Sequence, residues 1–430
     1  MNDNKTSKNS IVAKFAVPIS FLILFFLAAN FTDCDLVTFW KRRSHLTDLV
    51  VDMIPPDFSY IQKILLPLFY TIQMSVTGTV LGIFFALVLS PFGAANLGFP
   101  AVIRRILRIV IQILRSFPAL ILALTATFLF GLGTFAGTFA ITLYTFAIMT
   151  KLTYEDASAA DVKAYQALRA MGVSKYVAYI HGILPEIIPG FLTNALYLLE
   201  TNVRHSSILG YVGAGGIGLL LNEKISWLEY DKVGTILLML FLTVCVIEYF
   251  SRYLAALIRK EHTIKKEQAR LLLLFLAALF LICTFTLSLP DFSRTSPQTL
   301  RNMFAGFLQP DWSFFFSAAK DGLGYLLLET VCIAFIGTVI GAIVSAPLAF
   351  LNTKRFVPAP VSFLFNLVIM VIRSVPFLVY GLIFIRVSGP GAFTGVLTLA
   401  VCSIGLLTKR FTEALDALDP RPYHALLAMG

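Results

Sequence analysis

Gly78-Thr79-Val80-Leu81-Gly82 lies inside an apolar run at residues 64–91, and Gly337-Thr338-Val339-Ile340-Gly341 lies inside another at 325–350. The two pentads stand 259 residues apart. Downstream, Arg115-Ser116-Phe117-Pro118 returns as Arg373-Ser374-Val375-Pro376, and Lys151 and Glu155 return as Lys409 and Glu413. Ala167-Leu168-Arg169-Ala170-Met171-Gly172 returns as Ala425-Leu426-Leu427-Ala428-Met429-Gly430. These three matches share one spacing, the 258 residues from Arg115 to Arg373. A register held over so long a stretch marks a duplicated unit, and repeats in a membrane chain place a pathway between related halves. The chain reads as a complete first unit at 1–256, a basic linker at 257–270, and a second unit at 271–430 that is expected to be cut short at Gly430.

Composition sets the class. The chain is 58% hydrophobic and 13% charged, with 39 phenylalanines. Crossing a hydrocarbon core of ~30 Å takes roughly 20 apolar residues per helix, and this composition supplies many such runs. Apolar runs predict helices near 12–31, 64–91, 103–131, 133–150, 184–206, 233–256, 271–289, 325–350, 362–386 and 391–408. The fold expected is an all-α polytopic membrane protein of about ten transmembrane helices. The run at 12–31 follows Lys5, Lys8 and Lys14 like a signal peptide, but its length and the lack of a small-residue cleavage site mark a retained helix.

The net charge is +10. In a soluble chain that would suggest nucleic acid; here it suits basic loops that set orientation. With the N-terminus placed in the cytoplasm, the inside loops carry Arg104, Arg105 and Arg108, then Lys151, Lys163, Arg169 and Lys175, then the linker and the Lys409–Arg410 pair. Lys41, Arg42 and Arg43 are the exception, in the first outside loop. Both units then enter the membrane in the same sense. The five cysteines are scattered through the chain, mostly in apolar runs, and the five histidines are scattered as well, so no metal site and no catalytic site is expected.

The loop after the fourth span is the most specific element. From Asp161 to Tyr179 it has helix-forming residues with an apolar stripe at Tyr165, Leu168, Met171 and Val173, then Gly172 as a turn and a second short helix. Such a hairpin, lying along the membrane, offers a knob to a partner; a plain interfacial hairpin is the alternative. Gln166-Ala167-Leu168, with Gly172 and then Ile183-Leu184-Pro185, resembles the coupling loop of ABC importer permeases. Glu200-Thr201-Asn202-Val203-Arg204-His205, running on through Gly210, Gly213, Gly215, Gly216 and Gly218, resembles the signature of phosphonate transporter permeases.

The resemblance covers 64–256 and, in part, 325–430. It implies a type I importer permease unit of six helices, repeated in tandem, that docks its coupling loop on a separate ATPase dimer. It also implies an extracytoplasmic substrate-binding protein and a cell-membrane, multi-pass location. The permease would bind no cofactor directly; ATP would be used by the partner. In the second copy the coupling residues would be His424, Ala425, Leu426 and Gly430. The family pattern has a glutamate where this chain has Gln166 and His424. The absence of a P-loop agrees with a chain that does not itself hold ATP.

Gly213, Gly215 and Gly218 also fit a dinucleotide-binding spacing, but that motif needs a preceding strand in a soluble unit. Between two spans, the glycines serve tight turns and close approach, and the resemblance places them at the outer gate. Arg115 and Arg373 sit deep in their spans, where an arginine must face protein, water or a counter-charge. Two roles stand open for them: lining an anion path, together with Glu200, Asn202 and Arg204, or satisfying backbone near the proline. Glu200 and Arg204, one turn apart, are placed to pair with each other. The rival readings are an ion-coupled secondary transporter built from parallel repeats and an inactive permease fragment.

Overall fold

The computed structural model describes residues 18–34, 36–258, 266–290, 297–317, 319–320, 322–419, 421 and 429. Helices account for the architecture. They run α1 (Pro18–Phe31), α2 (Leu36–Lys41), α3 (Arg43–Asp52), α4 (Ile61–Gly93), α5 (Ala101–Ser116), α6 (Ala119–Phe130), α7 (Thr134–Ala159), α8 (Lys163–Ala170), α9 (Lys175–Gly182) and α10 (Leu184–Leu209). They continue as α11 (Ile217–Ser226), α12 (Tyr230–Ile258), α13 (Lys266–Phe285), α14 (Pro297–Leu308), α15 (Trp312–Phe316), α16 (Leu323–Asn352), α17 (Ala359–Ser374), α18 (Phe377–Ser388) and α19 (Ala392–Ala417).

Among the described residues five helices are long and apolar enough to cross a membrane, and up to eight spans result if each of three bent pairs counts as one; α1 and the apolar stretch Leu274–Phe285 are shorter. Within the described residues each predicted run falls on helix over most of its length; residues 12–17 of the first lie outside them, the run at 271–289 stops being helical after Phe285, and two of the runs are not straight. The run at 103–131 is α5 and α6, bent by 94°. The run at 362–386 is α17 and α18, bent by 87°. The cause is local. Phe117 (ψ 126°) and Val375 (ψ 125°) are extended because each precedes a proline, and Pro118 and Pro376 then cap the next helix. The predicted ends at 150 and 408 are also too early. α7 and α19 run on to Ala159 and Ala417, since the residues beyond contain no proline or glycine, and Lys151 pairs with Glu155 across one turn at 3.5 Å.

The chain forms two compact units, and they are cut differently from the sequence repeat. One comprises residues 53–306. In it α4 packs along α7, and α10 crosses both. The approach of α4 to α7 is set by Gly78 and Gly82: a Cβ on Gly78 would lie 2.8 Å from Ile141 and one on Gly82 2.6 Å from Thr145. α13 joins this unit through Gln73, whose amide donates to the Cys283 carbonyl at 3.1 Å and the Thr286 hydroxyl at 2.9 Å.

The other unit comprises residues 1–52 and 307–430. Here α16 packs along α19, again through glycines: a Cβ on Gly337 would lie 2.8 Å from Leu399, and one on Gly341 would collide with Ser403. α1 joins this unit by packing Ala28 with Ile336, Phe393 and Val396. The same local geometry therefore recurs in each unit: a glycine-spaced helix, a proline-broken pair, a two-glycine turn and a second long helix. Those turns use positive φ in both places, 82° and 139° at Gly131 and Gly133, 82° and 147° at Gly389 and Gly391.

Candidate functional site

The hairpin predicted after the fourth span is present as α8 and α9. Gly172 (φ 85°) turns between them, and Ser174 caps α9 by accepting from the Val177 amide. Its inner face is built into the ends of α4 and α7. Tyr165, Ala178, Tyr179 and Ile183 are buried with Leu97, Tyr154 and Ala157, and Leu168, Val173 and Leu184 pack against them. The Tyr165 hydroxyl donates to the Leu97 carbonyl at 2.6 Å, and Lys175 donates to the Gly98 carbonyl. A Cβ on Gly182 would lie 2.8 Å from the Tyr165 backbone nitrogen, so the two arms touch. Ile183 sits at a 70° bend into α10, and Pro185 lies in the first turn of α10 where its missing N–H costs nothing.

One member of the predicted stripe does not join this core. Met171 is 71% exposed, because it follows the last turn of α8 and its side chain leaves the hairpin beside Gly172. Gln166 and Ala167 are exposed as well. The result is a knob with a polar and methionine-bearing outer surface on a clamped base. His424, Ala425, Leu426 and Gly430, the matching residues of the second copy, lie outside the described residues.

The glycine loop sits at the other end of α10. Gly210 and Gly218 cross so closely that a Cβ on Gly218 would overlap the Ser207 carbonyl oxygen. Gly213, Gly215 and Gly216 have φ of 83°, 78° and 73°, a left-handed run that side chains rarely adopt. The loop is tied to two neighbours: the Ile217 amide donates to the Thr71 hydroxyl at 2.8 Å, and the Gly133 amide donates to the Gly213 carbonyl at 3.0 Å. No strand precedes it among the described residues, so the dinucleotide spacing has no supporting unit.

Between hairpin and loop, α10 turns a polar face into the protein. Glu200 and Arg204 form an ion pair at 3.0 Å, both largely buried. Asn202 is fully buried and donates to the hydroxyls of Thr79 and Thr145, each at 2.8 Å, joining α10 to α4 and α7. Ser75 and Ser206 bond at 2.6 Å one turn away. Asn202 is thus a helix-joining residue. Arg115, at the end of α5, is exposed, and Arg373, at the end of α17, is half-buried. The Tyr165, Lys175 and Thr71 ties were not foreseen. They run to backbone groups or across a long separation, and no residue pattern announces such partners.

Among the described residues no group of three or more His, Cys, Asp or Glu is placed to hold a metal ion. Comparison with known proteins gives the geometry a context. Residues 78–260 match the family model for the binding-protein-dependent transport system inner membrane component. The chain is 25% identical over 394 residues, 90% of it and 73% of the relative, to the phosphate-import permease protein PhnE of Mycolicibacterium smegmatis. It is 31% identical over 217 residues, 50% of it and 79% of the relative, to the phosphite transport system permease protein PtxC of Stutzerimonas stutzeri. Among solved structures, the inward-facing MetNI methionine ABC transporter is similar at 21% identity and a TM-score of 0.43, over 47% of this chain and 99% of that one. The matched region holds the hairpin, the glycine loop and the polar face of α10, and the chain belongs to the family of binding-protein-dependent inner-membrane transport components.

Proposed function

We propose that this chain is the transmembrane permease subunit of an ATP-driven importer for phosphonates or a related phosphorus oxyanion. The observation that carries the coupling is the α8–α9 hairpin, a knob tied by Tyr165 and Lys175 to the Leu97 and Gly98 carbonyls of the segment after α4 and packed on Tyr154 and Ala157 of α7. A rigid knob transmits displacement; a loose one absorbs it. An ATPase dimer docks on the hairpin and an extracytoplasmic binding protein delivers substrate at the glycine-loop end. The N-terminus and the hairpin face the cytoplasm, as the distribution of lysine and arginine requires. The two glycine-paired helix sets are the related halves of one permease, fused in cis by duplication, with the repeat boundaries at 1–256, 257–270 and 271–430. The outer gate is Gly213, Gly215, Gly216 and Gly218.

The oxyanion chemistry is supported by the names of the relatives and by Arg115, whose planar guanidinium group matches a pair of phosphoryl oxygens.

The test is uptake of radiolabelled methylphosphonate or phosphite into vesicles holding this chain, a P-loop ATPase and a binding protein encoded beside it. ATP-dependent uptake that survives collapse of the proton gradient is the expected result. Uptake without ATP that stops when the gradient collapses would replace this reading with a secondary transporter.

A further inference from the structure

α5 carries a row of charge that its counterpart lacks. Arg104, Arg105, Arg108, Gln112 and Arg115 fall on one stripe of the helix, at i, i+1, i+4, i+8 and i+11. At the spacing that relates the two copies, the matching residues of α17 are Ser362, Phe363, Asn366, Met370 and Arg373. One arginine is common to both helices, and the others belong to α5.

The stripe lies apart from the exposed apolar face of α5. Val102, Ile106, Ile109 and Ile113 form the exposed apolar face of α5, and at ~100° per residue the basic stripe is rotated about 120° from it. Arg105, Gln112 and Arg115 are exposed and Arg104 is half-buried. Arg108 is held in a fixed posture: its Nε donates to the Gly93 carbonyl at 3.0 Å, and its guanidinium lies 5.0 Å from the Tyr154 ring centre. That leaves its terminal nitrogens free to present a fork. Among the described residues no carboxylate pairs with any of the four arginines. Arginines without a carboxylate partner, in a row apart from the apolar face and with one of them oriented, form a site for a tetrahedral phosphorus oxyanion.

We infer that the transported anion moves along α5 and not along α17, with Arg115 receiving it and Arg108 and Arg104 passing it toward the hairpin end. This rests on the proposed function for the identity of the anion. The same chemistry is offered by acidic lipid headgroups, but Arg115 lies about 16 Å along the helix axis from Arg104, beyond the reach of a headgroup layer at the α5 start.

The probe is a cysteine placed within the row without removing an arginine. Gln112→Cys, and separately Met370→Cys on α17, are made in a chain whose five native cysteines are replaced, and reconstituted in phosphatidylcholine vesicles. Modification by an anionic methanethiosulfonate is compared with that by a cationic one. The expected result is an anionic preference of about 10-fold or more for Gln112→Cys, from the raised local anion concentration, slowed by methylphosphonate. Met370→Cys should show no such preference. Equal behaviour at the two positions overturns the inference. So does slowing at Gln112→Cys by added phosphatidylglycerol but not by methylphosphonate, which would assign the row to lipid. If the replaced chain fails to fold, Arg104→Gln with Arg108→Gln in the native chain serves: methylphosphonate uptake should fall several-fold and recover in the double lysine variant, and full uptake in the glutamine variant overturns the inference. Because labelling needs no ATP, anionic protection without any uptake would retain the anion row and reject the importer reading.

Discussion

Gly218 has no room for a methyl group. Its Cβ would overlap the Ser207 carbonyl, and Gly210 faces the Leu219 backbone across the same crossing. Both contacts are to backbone, which cannot swing aside as a side chain would. Gly218→Ala should therefore destabilise the protein by about 1–3 kcal/mol, the usual cost of overpacking, read as a fall in the melting midpoint in detergent. Asn202→Ala removes two donated hydrogen bonds between helices and should cost about 1–2 kcal/mol in the same assay.

A charged cluster near the start of α12 gives a pH signature. Lys224 bonds Glu223 and Glu229, each at 2.9 Å, and Glu229 also bonds Lys232 at 2.8 Å. Hydrogen bonds from Lys232 and Lys224 hold the Glu229 carboxyl below its ordinary range, and bonds to Glu223 and Glu229 hold the Lys224 ammonium above its own. The stability from Glu229 is complete above the ordinary carboxylate value and lost as pH falls through the lowered one. That from Lys224 is complete below the ordinary lysine value and lost as pH rises through the raised one. Melting midpoints across pH should thus fall off at both extremes, and Lys224→Met should flatten both limbs. Unchanged limbs would show that the cluster contributes nothing. At this scale the sequence showed which residues were unusual but not what they touched. Glu200 and Arg204 were legible as a pair because helix geometry fixes neighbours one turn apart. Asn202 was not legible as a joint, because Thr79 and Thr145 are brought to it by folding over a long separation.

The helices were legible where periodicity and length decide them. The bent pairs were not, although their cause is in view: each run contains a proline, and the extended residue before it breaks the helix altogether. The same omission hid the long tails of α7 and α19, where polar residues looked like loop but contain nothing to stop a helix. The glycine pairs are close-packing faces, and their recurrence at matching sites suggests a role between halves, yet each meets its partner within its own unit, Gly82 on α7 and Gly341 on α19. Gly82→Val and Gly341→Val should each separate their helices and lower the melting midpoint. A much larger effect at one site would show that the two units do not contribute alike. Pro118→Ala removes the constraint that keeps Phe117 extended, and uptake should fall with little loss of helix content by circular dichroism.

For the whole molecule, the repeat in the sequence and the recurrence of one local geometry in both units support a pair of related halves. The compact units nonetheless exchange their leading helices relative to that repeat: α1 packs with α16 and α19, and α13 with α4. Packing follows apolar surface wherever the chain carries it, so compact units need not agree with the spacing of a sequence repeat.

The proposed coupling of this permease to an ATPase through the α8–α9 hairpin can be probed at the hairpin's exposed tip. Met171→Glu places a charge on the knob without touching the buried base. Uptake and ATP hydrolysis should be measured together in vesicles holding the chain, its ATPase and its binding protein, with melting of the purified variant alongside. Loss of a docking anchor costs about 2 kcal/mol or more, roughly 30-fold in the docking equilibrium. Uptake should collapse, hydrolysis should no longer respond to substrate-loaded binding protein, and the melting midpoint should stay unchanged. Uptake equal to that of the unaltered chain would contradict the proposed coupling.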